Sequence, residues 1–312
     1  MTRIVFFGGT PLLSLPCLQA LVEDGDIEVA AVVLQPDRPI GRRKELIPTP
    51  VKQYARKMDI PVLQPAKLKG NEVFLHALAD IDPVVFVIVA YGRIIPQAIL
   101  DLAPKGSLNV HPSLLPKYRG PSPVNAAIAA GDDETGVSIM LVDDKMDHGP
   151  LLAQQTIPLS KTSTTPDILS KSGTIGAPLL LSCLKSYLSG EIIPWEQTHD
   201  EATICKMLSR EDGRIDWNDA AEFIDQKRRA YMPWPGIFTT ISHDGQEKLL
   251  KLHAFEISDR KIAPSSIEII EGELYIGTAS LALQISELQP EGKSKMEVEA
   301  FLNGYSNFTI VS

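Results

Sequence analysis

Val84-Val85-Phe86-Val87-Ile88-Val89 is an unbroken apolar run, β-branched at every position but Phe86. Such a short run reads as a strand covered on both faces, the pattern of a central strand in a parallel sheet. Toward the N-terminus, Asn71 to Ile81 carries a helical pattern. Thr49-Pro50-Val51 opens another helix, with Thr49 as N-cap and Pro50 at the first helical position. Val29 to Leu34 and Ile4 to Phe7 are strands. The latter runs into Gly8-Gly9-Thr10-Pro11 and a helix over Leu12 to Val22. Toward the C-terminus, Leu108 to His111, Val137 to Val142 and Leu151 to Ile157 are strands. Ser122 to Ala130 is a helix capped by Ser122 and stopped by Gly131, and Thr164 to Leu188 is a long helix ended by Gly190. This alternation implies an α/β unit with a mostly parallel sheet covered by helices on both faces.

The composition then changes. Glu191 to Ala202 is polar and irregular, and beyond it Asn218 to Tyr231 is helical. Short strands follow at Ile237 to Ile241, Leu249 to Phe255, Glu273 to Ile276 and Leu281 to Ile285, with a closing helix over Glu297 to Asn303. Short strands at this spacing suggest a small β-barrel. The expected organisation is an α/β domain over 1–189, a linker over 190–204 and a barrel-like domain over 205–312.

A chain of 312 residues fits two domains, and 44% hydrophobic with 22% charged residues excludes disorder over most of its length. Cys17, Cys183 and Cys205 are far apart, which excludes a disulfide scaffold and a zinc ribbon. The longest apolar run, Val84 to Tyr91, is far too short to span a membrane. The chain enters Arg3-Ile4-Val5-Phe6-Phe7 at once, without the longer apolar region of a signal peptide. A cytoplasmic, monomeric protein with no membrane partner is expected. The net charge of -9 removes any global attraction to nucleic acid, so RNA contact would rest on local basic clusters.

In an open α/β sheet, ligands sit beyond the carboxyl ends of the strands. The first such loop is not G-x-G-x-x-G, and the second strand leads into Gln35-Pro36-Asp37 without an acidic residue at its end. With no phosphate-binding G-x-x-x-x-G-K-[ST] segment either, a dinucleotide or P-loop enzyme is disfavoured. The densest polar cluster is Ser107-Leu108-Asn109-Val110-His111-Pro112-Ser113-Leu114-Leu115-Pro116-Lys117-Tyr118-Arg119-Gly120. On a strand, Asn109 and His111 share one face, and Pro112 leaves His111 at its mouth. An amide donor beside an imidazole suits stabilisation of an oxyanion and proton transfer. A plain strand end with side chains bonded to backbone is the alternative. The second cluster is Asp143-Asp144-Lys145-Met146-Asp147-His148-Gly149-Pro150. A carboxylate here can orient His111, although a solvated acidic turn fits too, and His148 is a rival imidazole. No helical i, i+4 ligand pair occurs, so no metal is expected.

Asn109-Val-His111-Pro-Ser113-Leu-Leu-Pro116-x-x-Arg119-Gly120, then Gly136-Val-x-Ile, then Asp147-x-Gly149, resembles the signature of the 10-formyltetrahydrofolate-dependent formyltransferases. The resemblance implies a doubly wound, Rossmann-like first domain with Asn109, His111 and Asp147 as the catalytic set. It also implies a folate site involving Ser113, Leu114, Leu115, Pro116, Ala90, Gly92, Ile94 and Asp143, with Ile94 and Leu115 lining the pterin face. 10-Formyltetrahydrofolate is then a consumed cosubstrate, and no metal takes part. Gln35 to Lys52, with Arg38, Arg42, Arg43 and Lys44, resembles the acceptor loop of the branch that formylates initiator methionyl-tRNA. Lys206 to Trp217 and Arg229 to Gly236 resemble that branch's second domain, an OB-like barrel, so Lys206, Arg210 and Arg229 join the expected tRNA contacts. The long, basic, proline-bearing connection itself suits a phosphate backbone with an unpaired acceptor end. Three features depart from the family pattern. Pro121 stiffens the segment after Gly120, and His148 stands where Thr or Ala is frequent. From Cys205 onward, 12 basic residues face 17 acidic ones.

Overall fold

The computed structural model describes residues 1–37, 39–40, 45–305 and 307–311. Arg38, Arg42, Arg43 and Lys44 of the expected acceptor loop lie outside the described residues. By Cα packing the chain forms two compact units. Met1–Val124, Asp133–Leu159 and Pro166–Lys206 make the first; Asn125–Asp132, Ser160–Thr165 and Met207–Ser312 make the second.

The first part of the chain carries strands Thr2–Gly8 (β1), Ile27–Val33 (β2), Pro39–Ile40 (β3), Glu45–Leu46 (β4), Val62–Leu63 (β5), Val85–Val89 (β6), Ser107–His111 (β7), Glu134–Leu141 (β8) and Leu151–Pro158 (β9). Its helices are Pro11–Glu23 (α1), Pro50–Lys57 (α2), Glu72–Ile81 (α3), Gln97–Leu100 (α4), Pro123–Ala130 (α5) and Thr165–Leu188 (α6). β3 and β4 pair with each other, while the rest form a seven-stranded sheet in the order β5-β2-β1-β6-β7-β8-β9. Neighbours from β5 to β7 are parallel; β8 runs antiparallel to β7, and β9 to β8. Strand order diverges from the β1–β6 pair, so the crevice of a doubly wound sheet opens at their carboxyl ends. Every residue of β6 is buried, as the apolar run requires. Phe7 meets Phe86 and Tyr91 edge-on with ring centroids 5.3 Å apart in each case, anchoring the core beneath that crevice.

Local signals place the helix starts. Thr49 Oγ1 accepts the Lys52 N–H at 3.3 Å with Pro50 in the first turn, and Asn71 Oδ1 accepts the Phe74 N–H at 3.1 Å. Ser122, expected to cap α5, instead donates its hydroxyl to the Lys206 carbonyl. The stretch read as a linker is tied down. Trp195 and Leu151 exchange N–H···O bonds of 2.7 and 2.9 Å, and Gln197 is buried.

Lys52 of α2 is also buried, and its ammonium meets Asp37 and Gln64 while Gln64 Nε2 donates to Asp37 Oδ1 at 3.0 Å. The hydrogen bond from Lys52, then that from Gln64, holds the Asp37 carboxyl below the ordinary carboxylate range. A depressed folded-state pKa contributes stability above the unfolded value of about 3.9, and that contribution is lost as pH falls through the folded value. Lys52→Met is therefore expected to destabilise the fold by about 2 kcal/mol at neutral pH, below the 3 to 5 typical of fully enclosed pairs. Asp37 keeps 20% of its side chain in solvent, which weakens the pair. Urea unfolding should show the deficit shrinking below about pH 4. A deficit constant with pH would assign it to packing alone.

The second unit contains Ala221–Ala230 (α7), Ile237–His243 (β10), Gln246–Ile257 (β11), Ile267–Ile270 (β12), Glu273–Ile276 (β13), Leu283–Pro290 (β14), Met296–Glu297 (β15), Val298–Gly304 (α8) and Phe308–Val311 (β16). Its antiparallel sheet runs β12-β13-β14-β11-β10-β16, with β15 on β14. Among the described residues β12 and β16 do not pair, so the expected OB-like barrel is an unclosed sheet. Helices seal its core instead: Ile224 of α7 and Phe301 of α8 are buried in it, and Phe301 stacks on Tyr305 at 4.6 Å and meets Phe308 edge-on at 5.1 Å.

Candidate active site

β7 lies beside β6, so its carboxyl end opens next to the sheet's crevice. Leu108, Val110 and His111 are buried and Asn109 is half-buried, and the strand's two-residue period sets Asn109 and His111 on the face opposite Leu108 and Val110. The turn after β8 brings Asp147 to the same place. Asp147 Oδ1 accepts from Asn109 Nδ2 at 3.4 Å, and Oδ2 accepts the Gly120 N–H at 2.8 Å. His111 Nδ1 faces that Oδ2 at 3.7 Å. His111 Nε2 lies 3.0 Å from the Tyr118 carbonyl oxygen, which can only accept, so Nε2 carries a hydrogen. Asn109, His111 and Asp147 thus form one cluster. The Asn109 amide has two N–H donors and directs one at Asp147, leaving the other for an oxygen of a bound substrate.

His148, the rival imidazole, pairs with Asp143, its Nδ1 2.7 Å from Asp143 Oδ2. Its ring stacks on His199 with centroids 4.0 Å apart. Asp143 also accepts the Lys145 N–H at 3.0 Å. Cys205 sits behind Gly120; burial pushes its thiol up, and its Sγ donates to the Arg119 carbonyl at 3.3 Å, which keeps it an inert thiol.

Ala90 and Gly92 follow β6 at the crevice with φ of 50° and 71°. They run so close to the loop after β1 that a Cβ on Gly9 would lie 1.7 Å from the Ala90 carbonyl oxygen. Ile94 is 94% exposed, an apolar side chain in open solvent near this rim. Leu114 is half-buried and packs over Gly136, and Pro116 is half-buried beside it. Leu115 departs from expectation. Its side chain is buried against Met140 and Leu151, its N–H donates to Ser138 Oγ at 3.1 Å and its carbonyl accepts Gln154 Nε2 at 2.8 Å. The side chain thus faces the core, whereas the resemblance implies one that faces the pterin. Ser113 is also fully buried, its hydroxyl donating to the Lys117 carbonyl at 2.7 Å.

Lys206 and Arg210 are exposed. Arg229, expected among the tRNA contacts, has its guanidinium paired within the fold. It is buried, with Nε on Asp225 Oδ2 at 2.8 Å and Nη1 on the Ser163 carbonyl at 3.1 Å. Its charge is used within the fold, because a cation at this helix end finds a carboxylate one turn back. Sequence reasoning missed the Gly120 N–H, the Tyr118 carbonyl, His199 and Gln197. The backbone groups leave no trace in residue identity, and the two side chains lie in the stretch read as a linker. Among the described residues no helix is long and apolar enough to cross a membrane.

Comparison with known proteins identifies the family. Residues 2–183 match the family model described as formyl transferase, and residues 207–306 match that of the formyl transferase C-terminal domain. The methionyl-tRNA formyltransferase of Chloroflexus aurantiacus is 43% identical over 304 residues, covering 97% of this chain and 96% of the relative. That of Enterococcus faecalis is 41% identical over 305 residues, covering 97% and 96%. Among solved structures, HypX from Aquifex aeolicus in complex with tetrahydrofolic acid superimposes with a TM-score of 0.63 at 18% identity, a likeness of fold alone. The match covers 97% of this chain and 47% of HypX, so the chain spans about half of that protein's length. By both domain matches and by near full-length identity, this chain belongs to the methionyl-tRNA formyltransferase family.

Proposed function

We propose that this protein transfers the formyl group of 10-formyltetrahydrofolate to the α-amine of methionine esterified to initiator tRNA. The observation that carries the reading is the convergence of Asn109, His111 and Asp147 at the carboxyl end of β7. The amine nitrogen bonds to the formyl carbon and the carbonyl oxygen becomes an oxyanion. The second Asn109 N–H stabilises that charge as a preorganised donor. His111 completes the environment, its ring held by Tyr118 and Asp147. The ammonium proton passes to Asp147, directly or through a water. The C–N10 bond then breaks, the oxyanion collapses to the amide and the proton held by Asp147 is passed to N10 of tetrahydrofolate, directly or through a water.

Ala90, Gly92, Ile94, Leu114, Pro116 and Asp143 are the groups we assign to the folate. The close approach at the crevice and the bare Ile94 side chain support this. Arg38, Arg42, Arg43, Lys44, Lys206 and Arg210 are assigned to tRNA on the cationic character of their segments. We further assign residues 1–189 to the catalytic domain and 205–312 to tRNA binding, with the enzyme acting as a monomer in the cytoplasm.

The test is transfer of radiolabelled formyl from 10-formyltetrahydrofolate, with initiator Met-tRNA, elongator Met-tRNA and a UDP-amino-sugar as parallel acceptors. Rapid labelling confined to the initiator species is the expected result. Labelling of the sugar, or folate turnover with no acceptor labelled, would overturn the choice of acceptor.

A further inference from the structure

Gln197 lies in the irregular stretch after α6 and is 5% exposed. Its Nε2 donates to two carbonyl oxygens of the site turn, Asp147 O at 3.0 Å and Gly149 O at 2.7 Å. Its Oε1 accepts from Arg119 Nε at 3.1 Å and Nη2 at 2.7 Å. All four hydrogen-bonding positions of the carboxamide are thus used. A flipped amide would set its oxygen against carbonyls and its nitrogen against a guanidinium, so the Arg119 fork dictates which end faces the turn. Arg119 is itself buried, and its Nη2 also donates to His199 Nδ1 at 2.9 Å. Gly120, the next residue, supplies the N–H that Asp147 Oδ2 accepts. Asp147 holds a φ of 50°, a left-handed conformation that non-glycine residues adopt only when their surroundings impose it.

We infer that Gln197, oriented by Arg119, is a positioning residue that holds the Asp147 turn so that its carboxylate reaches Asn109, His111 and Gly120 together. The kinetic part of this inference rests on the formyl-transfer reading; the structural part does not.

Gln197→Glu preserves shape and pairing with Arg119, but presents oxygen to both turn carbonyls. In the full-length protein, kcat for formyl transfer is expected to fall about 10- to 100-fold, the scale of a small misplacement of a catalytic group, with KM for the folate within about threefold. In an Asp147→Asn background the same substitution should cost little more, because its effect passes through that carboxylate. Multiplicative losses in the double variant, or an unchanged kcat in the single one, would overturn the inference. A substrate-free readout accompanies it. Amide hydrogen exchange at Gly120 should accelerate in Gln197→Glu while exchange at Val87 in β6 stays unchanged. Equal acceleration at both would mean general loosening and would also overturn it. A wild-type protein that labels no acceptor would remove the proposed reaction, and the exchange experiment would still decide the role of Gln197.

Discussion

Asn109→Ala is expected to lower kcat by about 10²- to 10³-fold, the usual loss when one preorganised oxyanion donor is removed. The position gives the substitution a specific meaning. Asn109 is half-buried on β7 between Leu108 and Val110, both buried on the other face, so its truncation leaves the core untouched. The strand is held by β6 on one side and β8 on the other, so backbone movement cannot bring a substitute donor forward. The loss should therefore appear in kcat, with KM for both substrates changed little, because the oxyanion exists only at the transition state. Asn109→Asp is the informative companion: it keeps the shape, replaces the donor by an acceptor and places two carboxylates together with Asp147. Steady-state kinetics with initiator Met-tRNA and 10-formyltetrahydrofolate measure both. Near wild-type turnover in Asn109→Ala would remove this residue from the chemistry.

Gly149→Ala should be nearly as damaging, and for a steric reason. A Cβ on Gly149 would sit 2.0 Å from the Leu141 carbonyl oxygen and 3.4 Å from the Asp143 backbone nitrogen. The first contact is with the backbone of β8, a sheet strand paired on both sides, which cannot yield as a flexible side chain could. The turn must move instead, and it carries Asp147. We expect a loss of about 3 kcal/mol of stability, at the upper end of ordinary overpacking. Turnover should fall to the level of Asp147→Asn. Thermal unfolding and kcat, measured on both variants side by side, test this. A stable, active Gly149→Ala protein would show that the turn tolerates displacement, and the geometric account of Asp147 would fail.

Much of the site was legible because its components lie close in sequence to strong patterns. Asn109 and His111 are set by the two-residue period of β7, and the carboxylate follows the next strand in the expected order. Spacing alone left open which carboxylate serves which histidine; the resemblance pointed to Asp147, and the turn after β8 pairs His111 with Asp147 and His148 with Asp143. Leu115 and Arg229 are both turned inward, which their motifs do not record. A motif states residue types, but whether a side chain faces the ligand or the core depends on the loop's path. Met140 and Leu151 claim the first, and Asp225 claims the second. The strands β12 and β16 escaped notice because β12 is short and largely unburied and β16 is a short edge strand, so neither carries a clean alternation.

By resemblance to a known family the sequence pointed to the make-up of the reaction centre; by itself it determined the mostly parallel α/β sheet, the order of its strands along the chain and the change of architecture after Gly190. These follow from local periodicity, turn chemistry and short spacings, which a linear string records directly. The tertiary structure alone decided that the supposed linker supports the site turn, that the second sheet stays unclosed among the described residues, and which charged groups are turned inward. Gln197 reaches Asp147 across 50 positions and Arg119 across 78. Contacts of that span arise from how packed elements return on one another in space, and no periodicity along the chain encodes them.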